Sequence, residues 1–188
     1  MNNQTKPTNP VHDTSTGTMD TVNGIRVDLR SPKPETITLD DIARGLSNEA
    51  RFCGQMIEHY SVAQHTLLVW HLAPDHLKAV ALIHDAAEAY LKDIHKPLKN
   101  LLAPLYKPLE AAFEKVIFHK YHVELSALKE LKPYDNQATE IESDYFRRGK
   151  LNFISIFYDI NEKLPFKTPY EQLRMLLLSE FSQYEFDF

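Results

Sequence analysis

Apolar residues recur at the spacing of an α-helix over most of this chain, and the alternation typical of β-strands is rare. The clearest example is the segment 75–91, which we predict to form one central helix. Its apolar positions are Val80, Ala81, Ile83, Ala87 and Leu91.

Residues that cap helices mark the starts of three others. Thr38 is placed to cap one helix, and Ser61 with Gln64 has the pattern of a capping box that opens the next. The segment 168–171, Thr-Pro-Tyr-Glu, combines a cap, a proline at the first helical position and a capping-box glutamate. We therefore predict a last helix from this point.

Prolines and turn residues divide the rest of the chain. Residues 22–29 predict a short strand pair or a turn, and residues 109–121 predict an amphipathic helix. Pro133 is suited to open a further helix that runs to about residue 146. Residues 153–158 form the one apolar stretch with strand character. The pattern thus predicts an all-α, single-domain bundle of about six or seven helices.

Composition fits one domain of this kind. The chain has 188 residues, of which 43% are apolar and 25% charged, and no apolar run is long enough to cross a bilayer. Residues 1–18 are polar, without periodicity and without the features of a secretory signal, so we expect a flexible tail before a folded unit at 19–188. We expect a cytoplasmic protein with no membrane partner.

The net charge is −5, and no dense cluster of Lys and Arg stands out. This argues against a nucleic-acid polymer as the main ligand. A small phosphate ester needs only a local positive charge and is not excluded.

Ionisable residues interrupt the apolar background of the predicted central helix. Glu88 follows His84 by four residues and Asp85 by three. The three side chains can therefore gather along one side of that helix. Such groups are costly in a core unless they hold a charged partner, and a metal ion is the simplest one. His65 on an earlier predicted helix and Asp135 on a later one complete a set of two imidazoles and two carboxylates.

The order His65, then His84-Asp85, then Asp135 resembles the motif of the HD superfamily of metal-dependent phosphohydrolases. Residues 51–65, RFCGQMIEHYSVAQH, and 84–99, HDAAEAYLKDIHKPLK, resemble bacterial HD-domain 5'-deoxynucleotidases and a related phage group that includes dATP triphosphohydrolases. The resemblance extends over roughly residues 20–185. It identifies residues 19–188 as an HD-type phosphohydrolase domain.

The resemblance implies roles for particular residues. His65, His84, Asp85 and Asp135 would bind one divalent metal ion, and Arg51 would contact the substrate phosphate. Two further carboxylates, Glu88 and Asp93, would take part in catalysis, and the segment from Asp135 to Glu142 also matches the family. Nitrogen and oxygen ligands favour Mn²⁺, Co²⁺, Fe²⁺ or Zn²⁺ over Mg²⁺, and the identity of the metal stays open.

Two departures from the nucleotidases bear on the substrate. Phe52 stands where they have tryptophan, so it can still stack on a base or sugar but has no indole donor. The interval between His65 and His84 is also short, which leans towards the phage group. Lys96 and Lys99 could add positive charge for a longer phosphate chain. The resemblance further implies a homo-oligomer.

Three functions remain open on these grounds. The protein could hydrolyse deoxynucleoside monophosphates to phosphate, or dNTPs, dATP among them, to deoxynucleoside and triphosphate. It could also be a catalytically idle HD module that binds a nucleotide or a protein. Each site residue has a plainer interpretation as well: Glu88 and Asp93 as helix carboxylates, Arg51 as a structural cation, Phe52 as core. Lys96 and Lys99 would then be solvated charges.

Overall fold

Helices make up most of the protein, so the predicted all-α bundle is confirmed. The computed structural model describes residues 17–56, 58–148, 160, 164 and 168–185. Residues 1–16 of the predicted tail and the apolar stretch 153–158 lie outside the described residues. Within the described part of the chain, no helix has both the length and the apolar character needed to span a membrane.

A two-stranded hairpin precedes the helices, and short 3₁₀ turns connect several of them. The 3₁₀ turns are Pro34–Thr36, Arg51–Gly54, Asp75–Leu77 and Ser182–Tyr184. The strands and α-helices, in chain order, are β1 Thr18–Asp20, β2 Arg26–Asp28, α1 Leu39–Asn48, α2 Val62–Leu72, α3 Lys78–Ile83, α4 Glu88–Leu91, α5 Lys96–Leu101, α6 Ala103–Lys120, α7 Ala127–Arg148 and α8 Pro169–Phe181.

All three predicted helix starts are confirmed. The Thr38 side chain accepts a hydrogen bond from the backbone N–H of Asp41, and Ser61 accepts one from Gln64. Thr168 forms a complete capping box at the start of α8. Local side-chain hydrogen bonds therefore determine these boundaries, as the sequence indicates.

The predicted strand pair is also present, but it begins earlier. Thr18 pairs with Asp28, and Asp20 pairs with Arg26 in the antiparallel hairpin. The folded part of the chain thus starts before residue 19, because Thr18 belongs to β1 rather than to the tail.

Two helices extend beyond the prolines that we expected to limit them. Helix α6 starts at Ala103 and contains Pro108, whereas the prediction began at residue 109. Helix α7 starts at Ala127 and contains Pro133, which was expected to open it. A proline inside a helix removes one backbone hydrogen bond. On α7, burial of Leu131 and Ala138 on either side of Pro133 offsets that loss.

The prediction of one continuous central helix at 75–91 was wrong. A 3₁₀ turn opens the segment, α3 ends at Ile83, and α4 begins only at Glu88. Between them the backbone N–H of Ala86 bonds to the carbonyl of Ile83, and that of Glu88 to the carbonyl of Asp85. These three-residue hydrogen bonds wind the chain more tightly than an α-helix. Apolar periodicity shows which face is buried but does not distinguish a tightly wound turn from an α-helix.

Helix α1 lies against α4 at a very short distance, and the contact is with Ala89, the residue after Glu88. Gly45 makes the approach possible: a Cβ atom added there would stand 2.8 Å from the Cα and carbonyl oxygen of Ala89. Backbone atoms cannot move aside as the end of a flexible side chain can.

We predict that Gly45→Ala destabilises the protein. Alanine is the better helix former by about 1 kcal/mol, but overpacking against a backbone costs about 1–3 kcal/mol, so the net effect is a loss of stability. Urea denaturation of the variant checks this. Asn48→Ala, on the exposed side of the same helix, is the control and should change the free energy of unfolding by less than about 0.5 kcal/mol. A variant as stable as the parent protein would contradict the close packing.

Candidate metal centre

Four residues that are distant in the sequence meet at one buried point. His65 comes from α2, His84 and Asp85 from the tight turn between α3 and α4, and Asp135 from α7. The Nε2 atoms of the two histidines are 3.4 Å apart. One ligand atom from each of His65, His84 and Asp135 lies within 4.8 Å of the others, so this group could hold a metal ion. Asp85 Oδ2 adds to it, 3.1 Å from His84 Nε2 and 3.5 Å from His65 Nε2.

Hydrogen bonds on the far side of each imidazole orient the rings towards this point. His65 Nδ1 donates to the Glu142 carboxylate at 2.6 Å, and His84 Nδ1 donates to the Ala81 carbonyl at 2.8 Å. Neither acceptor can donate, so in a neutral ring the lone pair is on Nε2. With both rings neutral, the two Nε2 lone pairs would face each other, and a shared cation, either a metal ion or the proton that His65 binds in the metal-free protein, would relieve their repulsion.

The spacing suits a metal ion. Donor atoms about 2.1 Å from an ion and 90–110° apart are about 3.0–3.4 Å from each other. His65 Nε2 is 3.2 Å from Asp135 Oδ1, and the other contacts fall between 3.1 and 3.5 Å. The group His65, His84 and Asp135 could therefore hold a divalent ion, with coordination positions left for Asp85 or for small ligands.

Glu142 connects the candidate metal centre to the residues beside it. This fully buried carboxylate accepts hydrogen bonds from His65, from the Tyr60 hydroxyl at 3.0 Å and from Arg51 Nη2 at 3.1 Å. Burial would raise the pKa of Glu142, but His65 and Arg51 outweigh it and lower that pKa. Glu142 is therefore an anion at neutral pH and holds an imidazole and a guanidinium in place.

The Glu142 carboxylate in turn changes the pKa of His65. Burial alone would lower the pKa of His65, but the Glu142 carboxylate raises it to about 9. At the other two ligands, burial favours the neutral acid, yet the neighbouring imidazoles prevail and lower the pKa values of Asp85 and Asp135. Both carboxylates are thus ionised at neutral pH, as metal ligands must be.

Arg51 lies next to the metal centre in an unusual turn. After it, Phe52 and Cys53 have φ values of 54° and 55°, and Gly54 has 70°. This left-handed turn places the half-buried Phe52 ring 5.3 Å from the guanidinium carbon of Arg51. Phe52 thus lies beside the candidate centre rather than in the core.

Two further carboxylates, predicted to be catalytic, face the same region. Asp93 Oδ2 is 3.4 Å from Arg51 Nη1, and burial raises its pKa despite that cation. Glu88 is buried, and within the described residues its Oε2 atom has no hydrogen-bond partner. Burial and the nearby charges of Asp85 and Asp93 raise the pKa of Glu88 well above its usual value. Two carboxyl groups that bind protons readily therefore lie beside the metal centre.

A cleft of about 210 Å³ opens from the metal centre between α6 and α7. Its walls combine metal ligands with apolar and charged side chains. They are His84, Asp85, Glu114, Leu128, Leu131, Lys132 and Asp135. Lys132 Nζ contacts Asp135 Oδ2 at 2.5 Å and is otherwise exposed. The cleft gives a small molecule access to the ligands.

The two predicted phosphate-binding lysines differ. Lys99 Nζ is 2.7 Å from Glu110 Oε1 and 3.8 Å from Glu88 Oε1, so the structure places it at the edge of the site. Lys96 is exposed, and no contact in the described part of the chain brings it to the site. The structure therefore gathers every predicted site residue except Lys96.

Several contributors were not assigned from the sequence. Tyr60, Lys132 and Glu114 carry no sequence signal that separates them from ordinary surface or core residues. Glu142 lies seven residues after Asp135, which is two helical turns, so it falls on the same face of α7 as that ligand. The resemblance includes Glu142 in the matching segment without giving it a role, and this spacing agrees with that match.

Comparisons with known proteins give relatives without an assigned function. No protein-family model matches the chain. Over 87 residues, 46% of the chain, it is 48% identical to the uncharacterized protein YfdR of Escherichia coli strain K12, and the match covers 48% of that protein. Over 98 residues it is 38% identical to the uncharacterized protein RCAP_rcc00048 of Rhodobacter capsulatus, of which the match covers 50%. The chain thus spans about half the length of the curated relatives it matches.

We predict that Glu142→Gln weakens metal binding. The amide cannot hold His65 and Arg51 as the carboxylate does, and loss of such a supporting group costs about 10- to 100-fold in metal affinity. Titration calorimetry with Mn²⁺ or Co²⁺ on chelator-treated protein measures the change. Glu140→Gln, exposed on the same helix, is the matched control and should bind as the parent does. Unchanged affinity in Glu142→Gln would show that His65 needs no support.

Protonation of His65 should make the stability of the metal-free protein depend on pH. Its pKa is raised from 6.5 in the unfolded chain to about 9 in the folded protein. The resulting stabilisation is fully present below pH 6.5 and is lost as the pH rises through 9. Urea denaturation with a chelator at pH 6 and at pH 9.5 tests this. The loss at high pH should be smaller in Glu142→Gln, and an equal loss in both proteins would assign the effect to other groups.

Proposed function

We propose that the protein is a divalent-metal-dependent phosphohydrolase that acts on deoxynucleotides. One observation carries the proposal: Glu142 binds both His65 and Arg51, so a cation of the kind that binds phosphate is held beside a set of candidate metal ligands. Guanidinium groups bind the non-bridging oxygens of phosphate in a bidentate fashion. A phosphoryl group bound to Arg51 would therefore lie next to the metal centre.

The residue types suggest how the reaction proceeds. A divalent ion held by the four ligands would neutralise phosphate charge and make a bound water more acidic. Arg51 orients the phosphoryl group, and Asp93 accepts the proton of the water whose oxygen attacks phosphorus. As the phosphorus–ester bond breaks, Glu88 gives its proton to the departing oxygen. The raised pKa of Glu88 suits a group that begins the reaction protonated.

Two forms of this reaction fit the site equally. Attack on a deoxynucleoside monophosphate releases phosphate, and attack on the α-phosphate of a dNTP releases triphosphate. Both use the same metal ligands, Arg51, Asp93 and Glu88. They differ in what lies beyond the reacting phosphorus, and the cleft of about 210 Å³ along α6 and α7 is a space next to the candidate ligands into which the substrate would extend.

Product analysis tests the proposal. The purified protein with Mn²⁺ or Co²⁺ is incubated with separate panels of dNMPs and dNTPs, and the released phosphate species are identified. Phosphate from dNMPs alone establishes a 5'-nucleotidase, and triphosphate from a dNTP establishes a triphosphohydrolase. If the protein binds the metal but releases neither product, the proposal is wrong and a nucleotide- or protein-binding module becomes the better reading.

We predict that Asp93→Asn lowers kcat by about 10²- to 10⁴-fold, because the amide cannot accept the proton. The metal ligands are untouched, so metal affinity should stay within about threefold of the parent. Steady-state kinetics and calorimetry on the same sample measure both quantities, with Glu140→Gln as the control. Full activity in Asp93→Asn would remove Asp93 from the mechanism.

A further inference from the structure

Lys92 has a backbone conformation that is rare outside glycine. Its φ is 76° and its ψ is 150°, at the point where α4 ends. A residue with a side chain persists in this region only when its surroundings hold it there. The next residue is Asp93, so this conformation determines where the Asp93 carboxylate points.

Glu49 is the residue that holds this turn. Its Oε1 accepts a hydrogen bond from the backbone N–H of Asp93 at 3.2 Å, and its Oε2 accepts one from Lys92 Nζ at 2.7 Å. The Glu49 carboxylate thus binds two successive residues, Lys92 and Asp93, one on each side of the peptide bond that joins them.

Glu49 is itself fixed from both sides. It is the C-cap residue of α1, where its N–H bonds to the Gly45 carbonyl, and its own carbonyl accepts a hydrogen bond from Val62 at the start of α2. Its side chain is only 14% exposed. Two helices therefore anchor the carboxylate that holds the Asp93 turn.

We propose that Glu49 is a positioning residue that fixes Asp93 for catalysis by holding Lys92 in its left-handed conformation. The proposal rests on the proposed phosphohydrolase function. Arg51 follows Glu49 by two residues, and its N–H bonds to the Tyr60 carbonyl. One short segment thus supplies both Arg51, the proposed phosphate contact, and Glu49, which orients Asp93. The Asp93 Oδ2 atom lies 3.4 Å from Arg51 Nη1.

An ordinary surface ion pair does not explain this arrangement. The Lys92 side chain is 66% exposed, so its charge pairing with Glu49 contributes little. The bond from the Asp93 N–H is different, because Asp93 is 12% exposed and its backbone direction decides the position of a reacting group. The function of Glu49 is therefore to set the backbone direction at Asp93 rather than to add an ion pair.

Glycine at position 92 provides the decisive test, since glycine adopts this conformation without strain. In Glu49→Ala, Lys92 should relax to a common conformation and Asp93 should move, which lowers kcat by about 10- to 100-fold with KM within about threefold. In Glu49→Ala/Lys92→Gly, the conformation is accessible again and kcat should recover by at least about threefold over Glu49→Ala. Glu130→Ala, which removes the exposed ion pair with His76, is the control and should keep full activity.

Two outcomes of the kinetics overturn the proposal. Unchanged kcat in Glu49→Ala shows that Asp93 needs no support from Glu49. Reduced kcat without recovery in the double variant shows that Glu49 acts by another route than the conformation of Lys92.

A measurement without substrate separates this proposal from the proposed function. Amide hydrogen exchange followed by NMR should show the Asp93 N–H exchanging at least about tenfold faster in Glu49→Ala than in the parent, while the amides of α2 stay protected. If no phosphohydrolase activity exists, this result still shows that Glu49 holds the turn. Equal Asp93 exchange in both proteins overturns the positioning role whatever the activity.

Discussion

The site depends on one buried carboxylate. Glu142 has no exposed side-chain surface, and a buried charge of this kind is tolerated only when it is paired and hydrogen-bonded. Three donors satisfy it: an imidazole, a phenol and a guanidinium. Because the first belongs to the candidate metal centre and the last to the candidate phosphate contact, any shift of Glu142 would displace both together.

Helix packing brings this carboxylate to its partners. Helix α7 lies against α2, which sets Asp135 and Glu142 opposite His65, and α1 lies against α4, which brings the segment after α1 to Asp93. The two contacts meet at Arg51, whose guanidinium touches carboxylates from both sides. The fold thus assembles the site from two halves, and neither half contains all of the groups that the proposed reaction requires.

The sequence predicted the parts of this arrangement that depend on local chemistry. The caps at Thr38, Ser61 and Thr168 are decided by side chains within a few residues, and a resemblance in motif order indicated the candidate metal ligands. It did not predict the break between α3 and α4 or the extension of α7 through Pro133. Apolar spacing is similar in a tightly wound turn and in an α-helix, and burial on both sides of a proline depends on distant helices. The conformation of Lys92 likewise depends on Glu49, 43 residues earlier.

The contacts of Arg51 suggest how substrate binding would activate Asp93. Arg51 is 3.1 Å from Glu142 but 3.4 Å from Asp93, and Glu142 is the more buried partner. A phosphate that approaches Arg51 would therefore compete with Asp93 rather than with Glu142. Arg51 is the main group that opposes the raised pKa of Asp93, so losing that contact would raise the pKa further. In the proposed reaction, the bound phosphate would thus turn Asp93 from an ion-pair partner into a stronger proton acceptor, at the moment when the attacking water must lose its proton.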